Sequence, residues 1–363
     1  MANFWTEKVS QQVTNNAQNR VLYFDVLRIL AVFFVMVLHT SGENWHDAGV
    51  NTYEWSILNL FNGISRWCVP VFVMISGALF LNHDISIKKL YSKYILRLVI
   101  AFIVWSIAYS FIWNIVGQRD IIKFFRAIIK GHYHMWFIYM IIGLYMVIPF
   151  LKKIIEDNIL TKYFIILAFI FALFVPEIIS IIKAFSSEHG DFAESTVGQV
   201  HLKIVLGFTI YFIVGYCLNN VALSNKAKLI IYILGIVGFV STVVFSLIIS
   251  KKLDKPIAIF YSNESVNVFF EAVSIFVLIK NIISKSRFGN KTINAIQLLS
   301  KYSFGAYLIH ALILTILNKF ANLHSLTFNP ILSIPLVSTT TFILSFGISA
   351  ILNHIPIVKK YLV

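Results

Sequence analysis

The sequence predicts an all-α, polytopic integral membrane protein with about ten transmembrane helices and both termini in the cytoplasm. Of its 363 residues, 58% are hydrophobic and only 13% are charged, whereas about 25% are charged in an ordinary soluble domain. The apolar residues form long continuous runs instead of alternating with polar residues, which argues against a transmembrane β-barrel. Because lipid offers no hydrogen-bond partners to the backbone, each run is predicted to be helical.

Ten apolar segments approach the length of about 20 residues that a membrane span needs. Residues 1–20 are polar and are predicted to be a cytoplasmic N-terminal segment, and the first apolar run is too long for a cleavable signal peptide. Residues 21–355 form the predicted ten-helix domain, and 356–363 a short cytoplasmic tail. The segments are 21–40, 57–81, 94–116, 134–151, 160–182, 202–219, 228–249, 266–284, 303–320 and 331–353.

The distribution of basic residues predicts the orientation. With the N-terminus inside, the inner segments hold 18 Lys and Arg and the outer segments hold 10, as the positive-inside rule requires. The outer segment 117–133 fits poorly because it contains four basic residues. Isoleucine and phenylalanine recur among these charges, so we interpret it as an amphipathic helix at the membrane surface.

The net charge of +14 is explained by these basic loops, and we expect no nucleic-acid partner because no basic patch lies on a folded polar domain. Cys68 and Cys217 both lie in apolar stretches, so neither a disulfide framework nor a zinc site is predicted. The histidines lack ligand spacing with Cys, Asp or Glu, so no metal site is expected.

The first segment contains three ionisable residues, Asp25, Arg28 and His39. Arg28 and His39 are eleven residues apart, which places them on one helix face about 16 Å apart along the axis. Asp25 lies one turn before Arg28 and can form an i,i+3 ion pair with it. A structural alternative exists for each residue alone, since Arg28 can snorkel to headgroups and His39 can sit at the interface. Together on one face they indicate a functional site within the membrane.

Five motifs resemble the membrane-bound acyltransferase-3 family of bacterial surface-glycan O-acyltransferases. The first combines residues 23–31 with His39, because the family has an Arg and a His separated by ten residues. The loop before the third segment resembles the family's basic loop, although it contains fewer arginines than the family's usual cluster. In the last motif, Phe304 replaces the usual Tyr. The other motifs are the Ser-Gly end of residues 69–77, the basic residues Lys88, Lys89, Lys93 and Arg97, residues 134–137, and residues 303–310.

This resemblance implies acyl transfer, commonly of acetyl, from cytoplasmic acyl-CoA to a hydroxyl of a surface polysaccharide or its lipid-linked precursor. Acyl-CoA is then a donor substrate, and no tightly bound cofactor is expected. His39 is the expected general base or covalent acyl carrier, and Asp25 and Arg28 complete the predicted catalytic group. Guanidinium and ammonium groups suit the phosphates of the donor. The predicted acyl-CoA-binding residues are Arg28, Lys88, Lys89, Lys93 and Arg97.

Six further residues are predicted to line the acceptor site or the passage. Each has a structural alternative: an interface anchor for His134 and Trp136, and interhelical hydrogen bonding for the residues of the last motif. A buried Glu271 could pair with Arg66 or orient His39, or could lie at the outer interface. The six residues are His134, Trp136, Glu271, Ser303, Tyr307 and His310.

The predicted location is the bacterial cytoplasmic membrane, with membrane lipid, acyl-CoA, a surface glycan and separate glycan-synthesis proteins as partners. The sequence ends at Val363, just after the last apolar segment, so we expect no attached extracellular esterase-like domain. The membrane domain would then acylate the acceptor itself or hand the acyl group to a partner. The alternative functions are a polysaccharide exporter, which also needs buried charges, and a structural subunit of a glycan-synthesis complex.

Overall fold

The computed structural model describes residues 6–8, 21–116, 121–200 and 206–363, and it confirms the all-α polytopic fold. Within these residues, nine helical stretches are long and apolar enough to cross a membrane. Each coincides with one of the ten predicted segments. They are Leu22–Gly42, Tyr53–Phe80, Ile87–Ile112, Trp136–Glu156, Asn158–Phe185, Asn225–Leu253, Ile259–Lys285, Asn290–Ala321 and Pro330–Leu352.

The remaining predicted segment, 202–219, is represented by a shorter helix, Thr209–Asn220. Its 12 residues span about 18 Å at 1.5 Å per residue, less than the hydrocarbon core of a bilayer. Residues 201–205, where this segment begins, lie outside the described residues. By length, the described residues therefore support nine spans, which agrees with the prediction of about ten.

The helices are numbered here in chain order. Two of the membrane-crossing stretches contain a short π-helical insert, at Leu90–Ile95 and Phe169–Phe174. The helices are α1 (Leu22–Gly42), α2 (Tyr53–Gly63), α3 (Cys68–Phe80), α4 (Ile87–Lys89), α5 (Leu96–Val116), α6 (Ile121–Lys130), α7 (Trp136–Glu156), α8 (Asn158–Ala168), α9 (Val175–Phe185), α10 (Ser187–Gly198), α11 (Thr209–Asn220), α12 (Asn225–Leu253), α13 (Val266–Lys285), α14 (Asn290–Ala321), α15 (Pro330–Leu352) and α16 (Pro356–Tyr361).

Helix α1 lies at the centre of the bundle, where it packs against α2, α3, α13, α14 and α15. Its inward face is apolar: Leu27, Ala31 and Met36 are completely buried. Of the three ionisable residues that α1 carries in the first predicted motif, this packing buries Asp25 completely and leaves Arg28 and His39 partly buried.

Helices α3 and α11 approach each other closely through two glycines. A Cβ atom on Gly77 would lie 1.9 Å from the carbonyl oxygen of Phe212, and one on Gly215 would lie 2.1 Å from that of Met74. Only glycine permits this distance, as is common where membrane helices pack through small residues. The Ser-Gly pair at the end of the second predicted segment therefore serves helix packing.

The amphipathic segment predicted at 117–133 contains the helix α6, from Ile121 to Lys130. The apolar side chains of Ile122, Phe125 and Ile129 are all more than half exposed, and their spacing places them on one face, as in a helix lying at the membrane surface.

The predicted terminal segments are only partly described. Residues 1–20 lie largely outside the described part, except that Thr6–Lys8 pairs with Val221–Ala222 as two short antiparallel strands. Residues 356–363, predicted as a tail, contain α16 and lie against α5, where the Trp105 indole donates a hydrogen bond of 3.1 Å to the Leu362 carbonyl.

Helix α14 begins at Asn290, thirteen residues before the predicted start at 303, because polar residues extend it beyond the apolar segment.

Candidate functional site

Four histidines from three parts of the chain meet at one end of α1. The ring of His39 stacks on that of His310 from α14, with centroids 5.2 Å apart. The His310 ring lies 4.9 Å from that of His134, and Nδ1 of His134 is 3.0 Å from Nδ1 of His132. In the described part of the chain, no group of three or more His, Cys, Asp or Glu side chains is arranged to hold a metal ion.

Hydrogen bonds to the backbone fix part of this cluster. Nδ1 of His310 lies 2.5 Å from the carbonyl oxygen of Tyr307; since a carbonyl only accepts, Nδ1 carries the proton and Nε2 carries a lone pair. The Tyr307 hydroxyl donates a hydrogen bond of 2.5 Å to the carbonyl of His134, which ties α14 to the segment before α7. Within the described residues, Nε2 of both His134 and His310 is buried without a hydrogen-bond partner.

The histidine cluster borders a cavity of about 540 Å³ at the same end of α1. His39 forms part of its wall, and no hydrogen bond to the His39 ring is found among the described residues. The wall contains three aromatic side chains, one arginine and one carboxylate. It is formed by Leu38, His39, Gly42, Glu43, Trp45, His46, Asn62, Arg66, His132, Tyr133, Ala258, Tyr261, Leu314 and Thr315.

His132 lies in the turn before α7, outside the membrane-crossing stretches. Burial lowers the pKa of its imidazole to about 4, because desolvation disfavours the charged ring. His132 is therefore neutral at neutral pH and presents a neutral ring to the cavity. Its ring also stacks on that of Tyr109, with a centroid distance of 4.3 Å.

Several of the residues that line the cavity were not predicted from the sequence as site residues. His132 and Tyr133 adjoin the predicted His134, so the pattern His-Tyr-His was an available signal. Arg66 was considered only as a partner of Glu271, and Glu43 was not among the predicted site residues. Trp45 and Tyr261 carried no signal, because aromatic residues are common throughout this chain.

At the opposite end of α1, Arg28 and Asp25 form the expected ion pair at 3.4 Å. Asp25 is completely buried and accepts a hydrogen bond of 2.6 Å from the Ser300 hydroxyl of α14. The Arg28 side chain remains 29% exposed. Both Arg28 and Arg97 are near enough to the phenol of Tyr145 to interact with it electrostatically.

The predicted donor-binding cations fall into two classes. Lys88, Lys89 and Lys93 are exposed where the chain leads into α5. Arg97 instead donates a hydrogen bond of 2.6 Å to the Val363 carbonyl and lies over the ring of Phe304 at 5.6 Å. All four side chains are exposed and accessible to an anion from solution, but Arg97 also has protein partners.

Among the described residues, the face of α1 between its two ends is packed instead of open. The α1 side chains that lie between Arg28 and His39 on the same face are Ala31, Val32, Val35 and Met36, and each is at most 4% exposed. None of them lines the cavity, which extends along α1 only as far as Leu38 and His39. Arg28 and His39 share a helix face, as their spacing predicts, but apolar packing separates their surroundings.

The remaining predicted lining residues divide between the cluster and other places. Tyr307 and His310 belong to the cluster. Trp136 is 40% exposed and lies against Phe208 instead. The Ser303 hydroxyl donates a hydrogen bond of 2.7 Å to the carbonyl of Ser300, one turn earlier in α14.

Glu271 is completely buried in α13, not at the outer interface. Its Oε1 accepts a hydrogen bond from the Thr242 hydroxyl of α12, while its Oε2 has no partner among the described residues. Glu271 interacts electrostatically with Arg66, the first of its predicted partners. It does not line the cavity beside His39.

Comparison with known proteins identifies one family. The sequence model of the acyltransferase-3 family, described as an acyltransferase domain, matches residues 21–350. This match includes all of the helices from α1 to α14 and nearly all of α15. No curated protein and no solved structure matches the chain significantly.

Proposed function

The chain belongs to the acyltransferase-3 family, and from this premise we propose that it transfers an acyl group, acetyl in the simplest case, from acyl-CoA to a sugar hydroxyl. The acceptor is a cell-surface polysaccharide or its lipid-linked precursor, and the enzyme works in the bacterial cytoplasmic membrane with both termini inside. Family membership makes the chain a multi-pass membrane acyltransferase. The donor, the acceptor and the residue roles are the proposal.

The observation that carries the proposal is the position of His39. Its imidazole lines a cavity large enough for a sugar residue, stacks on His310, and has no hydrogen-bond partner among the described residues. An imidazole with a free nitrogen beside an open cavity is well placed to accept a proton from a hydroxyl.

In direct transfer, the acyl group passes from the thioester to the acceptor hydroxyl without a covalent intermediate on the protein. His39 removes the proton from the acceptor hydroxyl as the oxygen attacks the thioester carbonyl, forming the new C–O bond. The C–S bond breaks, and the departing thiolate receives the proton from His39 to give the free thiol of CoA. In the covalent alternative, a His39 nitrogen attacks the thioester carbonyl, the C–S bond breaks and CoA leaves as the thiolate. The sugar hydroxyl then attacks the acyl carbon, the C–N bond to the ring breaks, and the hydroxyl proton passes to the thiolate to give the free thiol of CoA.

The Arg28 end of α1 suits the anionic donor. Arg28 and Arg97 both interact electrostatically with Tyr145, and Lys88, Lys89 and Lys93 are exposed on the adjoining segment. Cationic side chains bind phosphate oxygens through charge-assisted hydrogen bonds. Arg97 would attract the donor's phosphates chiefly through its positive charge, since its guanidinium already donates a hydrogen bond to Val363.

The test is acyl transfer by the purified chain in lipid vesicles, with labelled acetyl-CoA and a polysaccharide acceptor. We expect His39→Ala to reduce the rate by about 10²- to 10⁴-fold, the range for loss of a general base. His354→Ala is the matched control, because His354 is exposed and outside the cavity, and it should retain full activity.

The cellular counterpart measures where the glycan accumulates. We expect cells with His39→Ala to display unacylated glycan on their surface in normal amount. If that variant instead trapped unmodified glycan inside the cell, an exporter would be the correct interpretation. If His39→Ala left the transfer rate unchanged in vesicles, the proposed role of His39 would be wrong.

A further inference from the structure

Arg66 is a guanidinium that the sequence analysis left without a function and that the structure places in the wall of the cavity. It lies in the turn between α2 and α3. Its Nη1 donates a hydrogen bond of 3.2 Å to the Tyr261 carbonyl, and its Nη2 donates to the Asn62 amide oxygen. The guanidinium also lies 4.2 Å from the centroid of the Tyr261 ring. These contacts hold the group in one orientation.

The charge of Arg66 is not balanced by an ion pair among the described residues. No carboxylate there lies within 4 Å of it, and its Nε is buried without a hydrogen-bond partner. Glu271 interacts with Arg66 from a greater distance, while one of its own oxygens accepts from Thr242. Removing a cation from water is unfavourable unless an anion and hydrogen bonds compensate. A rigid, incompletely paired guanidinium at a cavity wall is the arrangement that binds an oxyanion.

The rest of the wall suits a sugar that carries such a group. Among the described residues that line the cavity, Arg66 is the only arginine or lysine. Glu43 is the only carboxylate, and it already accepts a hydrogen bond from the Asn318 amide. The rings of Trp45 and Tyr261 provide flat apolar surfaces against which the faces of a pyranose can pack. Arg66 also lies close enough to His39 to interact with it electrostatically.

We propose that the cavity binds an anionic saccharide, with Arg66 holding its carboxylate or phosphate while a hydroxyl of the same molecule faces His39. The identification of this saccharide as the acyl acceptor rests on the proposed function. The binding itself does not, because it requires neither the donor nor acyl transfer. Arg66 is in this sense a specificity-determining residue, and neutral sugars bind more weakly.

The experiment measures binding without any donor. Glucuronic acid, glucose 6-phosphate and glucose are titrated into the purified chain, and the intrinsic tryptophan fluorescence is followed, since Trp45 lines the cavity. We expect the two anionic sugars to bind about 10- to 100-fold more tightly than glucose, the effect of one or two charge-assisted hydrogen bonds. The ratio between glucuronic acid and glucose 6-phosphate shows which oxyanion the site prefers.

Three variants test the assignment to Arg66. Arg66→Gln should reduce the affinity for the anionic sugars to that for glucose. Arg66→Lys keeps the positive charge but loses the planar guanidinium, so it should retain part of the preference for anionic sugars. This variant also provides a test if Arg66→Gln fails to fold. Arg287→Gln removes an exposed arginine outside the cavity and should change nothing.

The outcomes separate this inference from the proposed function. His39→Ala should reduce acyl transfer by about 10²- to 10⁴-fold yet preserve the preference for anionic sugars. If no acyl-CoA supports transfer but the Arg66-dependent preference is present, the proposed function fails and the binding site stands. Equal affinity for glucuronic acid, glucose 6-phosphate and glucose would overturn the inference. A second result would also overturn the inference: Arg66→Gln lowers kcat equally for neutral and anionic acceptors and leaves their affinities unchanged. Arg66 would then stabilise the reacting carbonyl instead of binding the anionic group of the sugar.

Discussion

The contact between α3 and α11 allows a sharp prediction about stability. In Gly77→Ala the new Cβ would lie 1.9 Å from the Phe212 carbonyl oxygen, whereas an ordinary contact begins at 3.4 Å. The two backbones would have to separate by the difference between these distances, about 1.5 Å. The obstacle is a helix backbone, which cannot move aside as the end of a flexible side chain can. We therefore expect destabilisation at or above the upper end of the range for overpacked cores, about 3 kcal/mol.

The matched control is Gly143→Ala in α7, where a new Cβ would meet nothing within 4 Å. Alanine favours a helix over glycine by up to about 1 kcal/mol, so this variant should be as stable as the original chain or slightly more so. The assay is thermal unfolding in detergent, followed by the loss of the monodisperse peak on size-exclusion chromatography. If Gly77→Ala and Gly143→Ala melted at the same temperature, the close approach of α3 and α11 would be refuted.

Two further predictions concern the histidine cluster. His310→Phe keeps a ring stacked on His39 but removes the nitrogens, so kcat should fall by about tenfold or more while the size-exclusion profile is unchanged; an unaltered kcat would show that only the ring shape matters. The pKa of His132 is lowered from 6.5 to about 4 by burial, so between these values the unfolded state binds the proton that the folded state does not. The folded state should therefore lose stability as the pH falls from about 6.5 towards 4. His132→Gln should make the melting temperature less dependent on pH over this range, whereas His354→Gln should leave this dependence unchanged.

Most of the fold was predictable because hydropathy reports directly on the cost of exposing a backbone to lipid. Nine of the ten predicted segments coincide with helices of sufficient length. The segment 202–219 was harder because its apolar composition does not reveal how much of it is helical, and the described helix there covers only Thr209–Asn220. The early start of α14 was missed for a related reason, since its first turns are polar and hydropathy does not report a helix outside lipid.

The candidate site was predictable where its residues share one helix and less so where distant parts of the chain meet. The Asp25–Arg28 pair and the shared face of Arg28 and His39 follow from helix geometry alone. The contact of His39 with His310 joins positions 271 residues apart, and single-sequence periodicity contains no information about such a pairing. The same holds for Arg66, whose partner Tyr261 lies on a separate segment.

The apolar stretch between Arg28 and His39 has a physical rationale within the proposed function. An enzyme that takes its donor from one side of the membrane and its acceptor from the other must not leave a hydrated path between them, because such a path would conduct water and ions. Val32, Val35 and Met36 close that path. On this proposal, the donor's acyl arm would displace packed side chains as it advances along α1 and would exclude water from the reaction. The proposed roles follow the same division: the cations proposed to bind the donor's phosphates lie at the Arg28 end, and His39, the proposed proton acceptor, lies at the other end.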